Sequence, residues 1–219
     1  MIIDTNNYKN IIFDLGGVIL NIDYSLTEKA FSKLGISDFK TLFSQAQQTQ
    51  LFDNYEKGFI SSDEFRTELK KYLPKNITDE EINHAWNAIL LDLPEERIKF
   101  LKKIKTTHRT FLLSNTNDIH IETLNQYLQK EFAMPDLSTL FEKEYLSYKI
   151  GMRKPDAEIF ELVLEENNLI ASETLFIDDS IQHVEAAKKL GISAYWLDVK
   201  KESVLDVIPL PPSKGDKLH

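Results

Sequence analysis

Six polar residues stand where apolar runs end, and their types could do chemistry together. Asp14 closes Ile11-Ile12-Phe13, and Ser114-Asn115 follows Leu112-Leu113. Asp178-Asp179 follows Leu175-Phe176-Ile177, and Lys154 stands in Gly151-Met152-Arg153-Lys154-Pro155. If they meet on one rim, three carboxylates crowd together and repel one another unless a cation sits between them. A hard divalent ion with oxygen ligands, Mg²⁺, meets that need. Mg²⁺ beside a lysine and a hydroxyl makes a phosphate-binding set, because ion and ammonium offset phosphoryl charge while Ser114 and backbone N–H groups donate hydrogen bonds. A carboxylate in line with phosphorus can then act as a covalent nucleophile.

The elements that would bring these residues together are legible as punctuation. The run from Asn10 is apolar on both faces, which indicates a central parallel strand ending at Asp14, with a tight turn at Gly16-Gly17. Helix signals then dominate residues 25–105. Ser25-x-x-Glu28, Ser61-x-x-Glu64 and Thr78-x-x-Glu81 read as capping boxes, Gly35 as a stop, and Phe39, Leu42 and Phe43 as helically spaced. Pro94 can open one more helix, with Ile98, Leu101 and Ile104 on one face. From residue 109 strands and helices alternate: strands at Thr110–Leu113, Glu144–Ser147, Thr174–Ile177 and Ala194–Leu197, with helices between them. Such alternation predicts a parallel sheet with helices on both faces, whose ligands gather at the carboxyl ends of the strands. The predicted class is therefore α/β, with residues 1–20 and 106–219 as the core and 21–105 as an inserted helical cap.

Composition narrows the function. The 219 residues carry 26 Lys and Arg against 35 Asp and Glu, a net charge of −9. That balance argues against a nucleic-acid or anionic-membrane binder, both of which need clustered Lys and Arg. With no cysteine there is no disulfide framework, thiolate nucleophile or Cys-ligated metal. The amino-terminal residues do not read as a signal peptide, and no apolar run is long enough to span a bilayer, so a cytoplasmic setting is expected. Oligomeric state is not readable.

The ordered blocks FDLGGVI, LLSNTN, GMRKPDAEIF and FIDDSIQHVEAAKKLGI resemble the four motifs of the haloacid dehalogenase (HAD) superfamily. The resemblance spans nearly the whole chain. It implies a Rossmann-like core with a small α-helical cap. It lies nearest to phosphatases whose first motif reads FDLG, the α-D-glucose-1-phosphate phosphatase-like group among them. It further implies that Asp14 is the nucleophile and a metal ligand, and that Gly16 offers its carbonyl to Mg²⁺. Ser114 and Asn115 would bind the phosphoryl group, Lys154 would neutralise nucleophile and phosphate, and Asp178 and Asp179 would hold the metal. The expected activity is Mg²⁺-dependent hydrolysis of a small phosphorylated metabolite such as a sugar phosphate.

One departure from the family pattern matters. Most phosphatases of the family carry an Asp at the position of Gly16, which protonates the leaving oxygen and later activates water. Without it, an anomeric phosphate is expected to react better than a primary alcohol phosphate. Asp23 and Tyr24, just beyond the first strand, are candidates to fill the gap. The alternatives are a metal-independent 2-haloacid dehalogenase and a weakly catalytic phosphometabolite-binding protein. Asp53–Glu64 imitates a calcium loop, but Tyr55 and Lys57 stand where oxygen ligands are needed. No histidine pair has metal-ligand spacing; His183, four residues after Asp179, reads as a polar helix residue, with support of the neighbouring carboxylates as the alternative, and Arg153 as a solvated neighbour of Lys154.

Overall fold

The computed structural model describes residues 2–36 and 50–209. Phe39, Leu42 and Phe43, expected on a helix, lie outside the described residues. Five strands form one parallel sheet: β1 Asn10–Phe13, β2 Arg109–Ser114, β3 Lys143–Leu146, β4 Thr174–Asp178 and β5 Ser193–Trp196. Their order is β3-β2-β1-β4-β5, with helices on both faces, a Rossmann-like α/β arrangement.

β1 is central, and all four of its residues are buried. Alternate side chains leave it in opposite directions. Ile11 and Phe13 enter one apolar cluster with Leu112 and Leu175, while Ile12 enters the other with Phe111, Leu113 and Phe176. The pairing aligns Phe13 with Leu112 on one side and with Ile177 on the other. The residues that follow these strands therefore emerge at one level.

Among the described residues, the segment after β1 carries the helices α1 Tyr24–Lys33, α2 Leu51–Glu56, α3 Ser62–Lys70 and α4 Asp79–Asn87. They enclose an apolar cluster of their own, including Phe31, Phe52, Phe65 and Trp86. Phe52 stacks on Trp86 with ring centroids 5.4 Å apart, and Tyr55 on Phe65 at 4.0 Å. The capping boxes at Ser61 and Thr78 form as expected. The one expected at Ser25 does not, because Asp23 is the N-cap and its carboxylate accepts from Ser25 N at 2.8 Å.

α5, Glu95–Ile104, lies inside the expected insert, yet Ile98, Phe100, Leu101 and Ile104 pack with Ile11 and Phe13 in the sheet cluster. On the carboxyl side of β2 come α6 Asp118–Phe132, α7 Ser147–Ile150, α8 Ala157–Glu166, α9 Ile181–Lys189 and α10 Val204–Val207. Among the described residues, no helix is long and apolar enough to cross a membrane.

The helical layer is joined to α6 by polar contacts. Tyr55 Oη and Ser62 Oγ both donate to Asp118 Oδ1 at 2.6 Å, and Asn87 Nδ2 donates to Thr123 Oγ1 at 2.8 Å. At Gly58, with φ +68°, a Cβ would fall 2.0 Å from Tyr148 O, so only glycine permits the two backbones to approach this closely.

Candidate active site

The level strand ends bring four of the expected side chains together. Asp14 follows β1, and its N–H donates to Ile177 O at 2.9 Å, which extends the pairing to the rim. Asp178 ends β4, and Lys154 approaches from the loop before α8. Lys154 Nζ lies 2.8 Å from Asp14 Oδ1 and 2.6 Å from Asp178 Oδ2, and its side chain is wholly buried. One carboxylate oxygen from each of Asp14, Asp178 and Asp179 lies within 4.8 Å of the others.

The electrostatics follow from this crowding. Burial pushes Asp14 up to about 7; Lys154 opposes that, while Asp178 and Asp179 add to it. Burial also works against ionised Asp178, but Lys154 and His183 outweigh it and hold that carboxyl near about 2. Burial and then Asp178 raise Asp179, which makes no ion pair among the described residues. Burial disfavours the Lys154 ammonium, yet Asp14 and Asp178 leave its pKa raised, so it is a fixed cation.

The remaining expected residues take different places. Ser114, buried at the end of β2, lines the same cleft of about 330 Å³; its Oγ makes only a 3.5 Å contact with Asn115 O. Asn115 also lines it, but its side-chain amide is engaged with the Lys154 backbone: Nδ2 donates to Lys154 O at 2.8 Å and Oδ1 accepts from Lys154 N at 2.9 Å. Gly16 lies on the cleft wall, where a Cβ would meet Ile22 Cδ1 at 3.1 Å. Gly17, at φ +75°, has no room: its Cβ would fall 2.4 Å from Asp179 Oδ2.

Three residues carry more than their sequence positions suggest. His183 is not merely a polar helix residue; its Nδ1 lies 3.0 Å from Asp178 Oδ1, which also accepts from Ser180 N at 2.7 Å. Arg153 is not simply solvated. It lines the cleft and pairs with Asp53 at 2.6 Å and Glu56 at 3.0 Å, both on α2. Glu56 lines the cleft too and was not singled out from sequence. The available signal was the Asp53–Glu56 spacing, which places two carboxylates on one helix face. Of the two residues suggested to replace an acid at Gly16, Tyr24 lines the cleft, whereas Asp23 is engaged as the α1 cap.

A Rossmann-like sheet with an aspartate after its first strand, a buried lysine and two further carboxylates at the same rim is the framework of a hydrolase of the haloacid dehalogenase type. The sequence pattern of the haloacid dehalogenase-like hydrolase family matches residues 8–191, and the chain belongs to that family. It is 34% identical over 189 residues to a D-ribitol-5-phosphate phosphatase of Bacteroides thetaiotaomicron, covering 85% of this chain and 90% of the relative. The fold is similar to that of a HAD family enzyme from the same organism, solved in complex with magnesium and inorganic phosphate. The TM-score is 0.78 and the identity 35%, over 89% of this chain and 96% of that one. It also resembles a HAD-like family hydrolase of Porphyromonas gingivalis, with TM-score 0.81 and 31% identity, over 91% and 95% of the two chains.

Proposed function

We propose that the protein is a Mg²⁺-dependent phosphatase of a small phosphorylated sugar or sugar alcohol, working through an aspartyl-phosphate on Asp14. The observation that carries this reading is the placement of Lys154 Nζ between Asp14 and Asp178, with Asp179 within 4.8 Å, on a cleft that Ser114 also lines. Three carboxylates against one ammonium leave excess negative charge in this cleft. An oxygen-liganded divalent cation fits that donor set. Asp14, Asp178 and Asp179 would hold it, with the Gly16 carbonyl as the further oxygen expected from the family pattern. The bound ion would lower the charge barrier between nucleophile and phosphate.

The chain's own groups account for the remaining chemistry. Asp14 attacks phosphorus as the ester oxygen departs, and water then cleaves the aspartyl-phosphate. Lys154 keeps Asp14 oriented and offsets charge on the phosphoryl oxygens. Ser114 Oγ donates to one of those oxygens. Asn115 acts on phosphate indirectly, by fixing the Lys154 backbone. His183 and Ser180 N orient Asp178. The carboxylate triad favours this reading over a metal-independent dehalogenase, for which such a concentration of negative charge has no use.

The helices α1–α4 serve as the cap that closes over phosphate and sugar. We place its end before Leu93, earlier than residue 105, because Leu93 and α5 pack with the sheet. The similar Bacteroides phosphatase is named for a substrate whose phosphate sits on a primary alcohol. This supports a polyol or sugar phosphate of that kind over the anomeric phosphates expected from Gly16 alone. The acidic, cysteine-free composition supports a cytoplasmic setting.

The test is hydrolysis of a panel of sugar and alditol phosphates with Mg²⁺, with chelator, and with Asp14→Asn. Release of phosphate that requires both Mg²⁺ and Asp14 is expected. Turnover that survives chelation, or halide release from 2-haloacids in place of phosphate release, would overturn the reading.

A further inference from the structure

Gly16 has no side chain with which to protonate the ester oxygen. The opposite wall supplies another carboxyl. Glu56, the last residue of α2, lines the cleft with Asp14, Ser114 and Lys154. Its Oε2 is enclosed by protein, with the Arg153 guanidinium 3.0 Å away but outside hydrogen-bond geometry. From its place on the cleft wall, facing Asp14 and Lys154 across the cavity with its carboxyl oriented by Arg153, we propose that Glu56 is the general acid and base of the reaction, in the place vacated at Gly16. The proposal rests on the phosphatase reading.

The groups around Glu56 suit the role. Arg153 Nη2 lies 3.0 Å from Glu56 Oε2, which orients the carboxyl. The same guanidinium is held more closely by Asp53, at 2.6 Å, so its charge is shared. Burial raises the Glu56 pKa, with Asp53 adding; Arg153 and, more weakly, Lys154 pull the other way, and burial prevails. A carboxyl moved toward neutral pH both gives and retakes a proton well.

The other candidates are less suited. Asp23 caps α1. His183 Nδ1 faces Asp178, and both ring nitrogens of His120 face hydrogen-bond partners, Asn117 Nδ2 and Trp86 O. Tyr24 shares the cleft, but its side chain is largely exposed to solvent.

Asp14 Oδ bonds to phosphorus while the phosphorus–ester oxygen bond breaks, and the Glu56 proton passes to the departing oxygen, releasing an alcohol. Water then bonds to phosphorus as the Asp14–phosphorus bond breaks, and its proton returns to the Glu56 carboxylate.

The experiment compares a primary alditol phosphate with p-nitrophenyl phosphate, whose leaving group needs no proton. For Glu56→Gln, kcat/KM on the alditol phosphate should fall about 10²–10⁴-fold, the usual contribution of a positioned acid. On the aryl ester kcat/KM should stay within about tenfold while kcat falls, because the base step is impaired and phosphoenzyme accumulates. Glu56→Asp should restore part of the alditol activity, and inorganic phosphate should bind Glu56→Gln within about twofold of wild type. In the wild type, kcat/KM across a leaving-group series should depend weakly on leaving-group pKa; this measurement needs no variant to fold. Equal losses on both substrates in Glu56→Gln, or a steep wild-type series, would overturn the assignment of Glu56. Failure of the wild type to hydrolyse either ester would instead overturn the phosphatase reading beneath it.

Discussion

Asn115 and Lys154 hold each other through a reciprocal pair of hydrogen bonds, Asn115 Nδ2 to Lys154 O at 2.8 Å and Lys154 N to Asn115 Oδ1 at 2.9 Å. Asn115 follows β2 and Lys154 belongs to a separate loop before α8, so this pair fixes the loop to the sheet rim. The loop in turn aims Nζ at Asp14 and Asp178. Asn115→Ala removes both bonds at once and leaves the Lys154 backbone groups to water. Losing partly buried partners costs about 1–3 kcal/mol. If that cost falls on the aligned state, kcat drops by roughly 10–100-fold, with a smaller change in KM. Steady-state kinetics check this; a rise in KM at constant kcat would place Asn115 directly on the substrate instead.

Gly16 and Gly17 are adjacent but differ in what they tolerate. Gly17→Ala needs a side chain at φ +75° and a Cβ 2.4 Å from Asp179 Oδ2. It should destabilise the fold by about 1–3 kcal/mol and displace the Asp179 carboxylate. At Gly16 the obstacle is Ile22 Cδ1 at 3.1 Å, the far end of a flexible side chain. Gly16→Ala should therefore cost about 1 kcal/mol or less. Denaturant unfolding of the two variants in parallel checks the contrast, and equal losses would contradict it.

The contact between the helical layer and the core contains a pH-sensitive member. His120 is half-buried, stacks on Trp86 at 5.3 Å, and faces Trp86 O through Nε2 at 3.2 Å. Burial lowers its pKa to about 4, from an ordinary value of 6.5, with Trp86 O and Asp118 pulling weakly the other way. Between those pH values the unfolded chain binds the extra proton and the folded chain does not. Stability from this group is thus fully present above about 6.5 and is lost as pH falls from there toward 4. Unfolding midpoints of wild type and His120→Asn across that range should converge as pH falls. A constant difference between them would show that His120 contributes nothing to acid sensitivity.

Much of this frame was legible in the sequence because a central parallel strand is apolar on both faces and ends where a polar residue begins. Ile11-Ile12-Phe13-Asp14 and Leu175-Phe176-Ile177-Asp178 announce both strand and site in this way. What periodicity does not reveal is the partner. Ile98, Leu101 and Ile104 mark the buried face of α5, but nothing in their spacing says that it packs on the sheet and not in the cap. Capping was ambiguous for a similar reason, since Asp23 and Ser25 both have capping side chains and only the backbone geometry selects Asp23. Glu56 was the largest omission, and Arg153, read as solvated, the largest misreading. Arg153 and its other partner, Asp53, lie 100 residues apart, so their pairing exists only once the helical layer is folded against the core.

The central claim is that Asp14 becomes phosphorylated, and acid quenching in the pre-steady state followed by mass spectrometry tests it most directly. With a phosphate-ester substrate and Mg²⁺, the peptide containing Asp14 should carry a hydroxylamine-labile phosphoryl group that forms and decays at rates sufficient for turnover. Asp14→Asn should show neither the adduct nor turnover. Turnover retained in Asp14→Asn, or a kinetically competent phosphoryl group on another residue, would contradict the account.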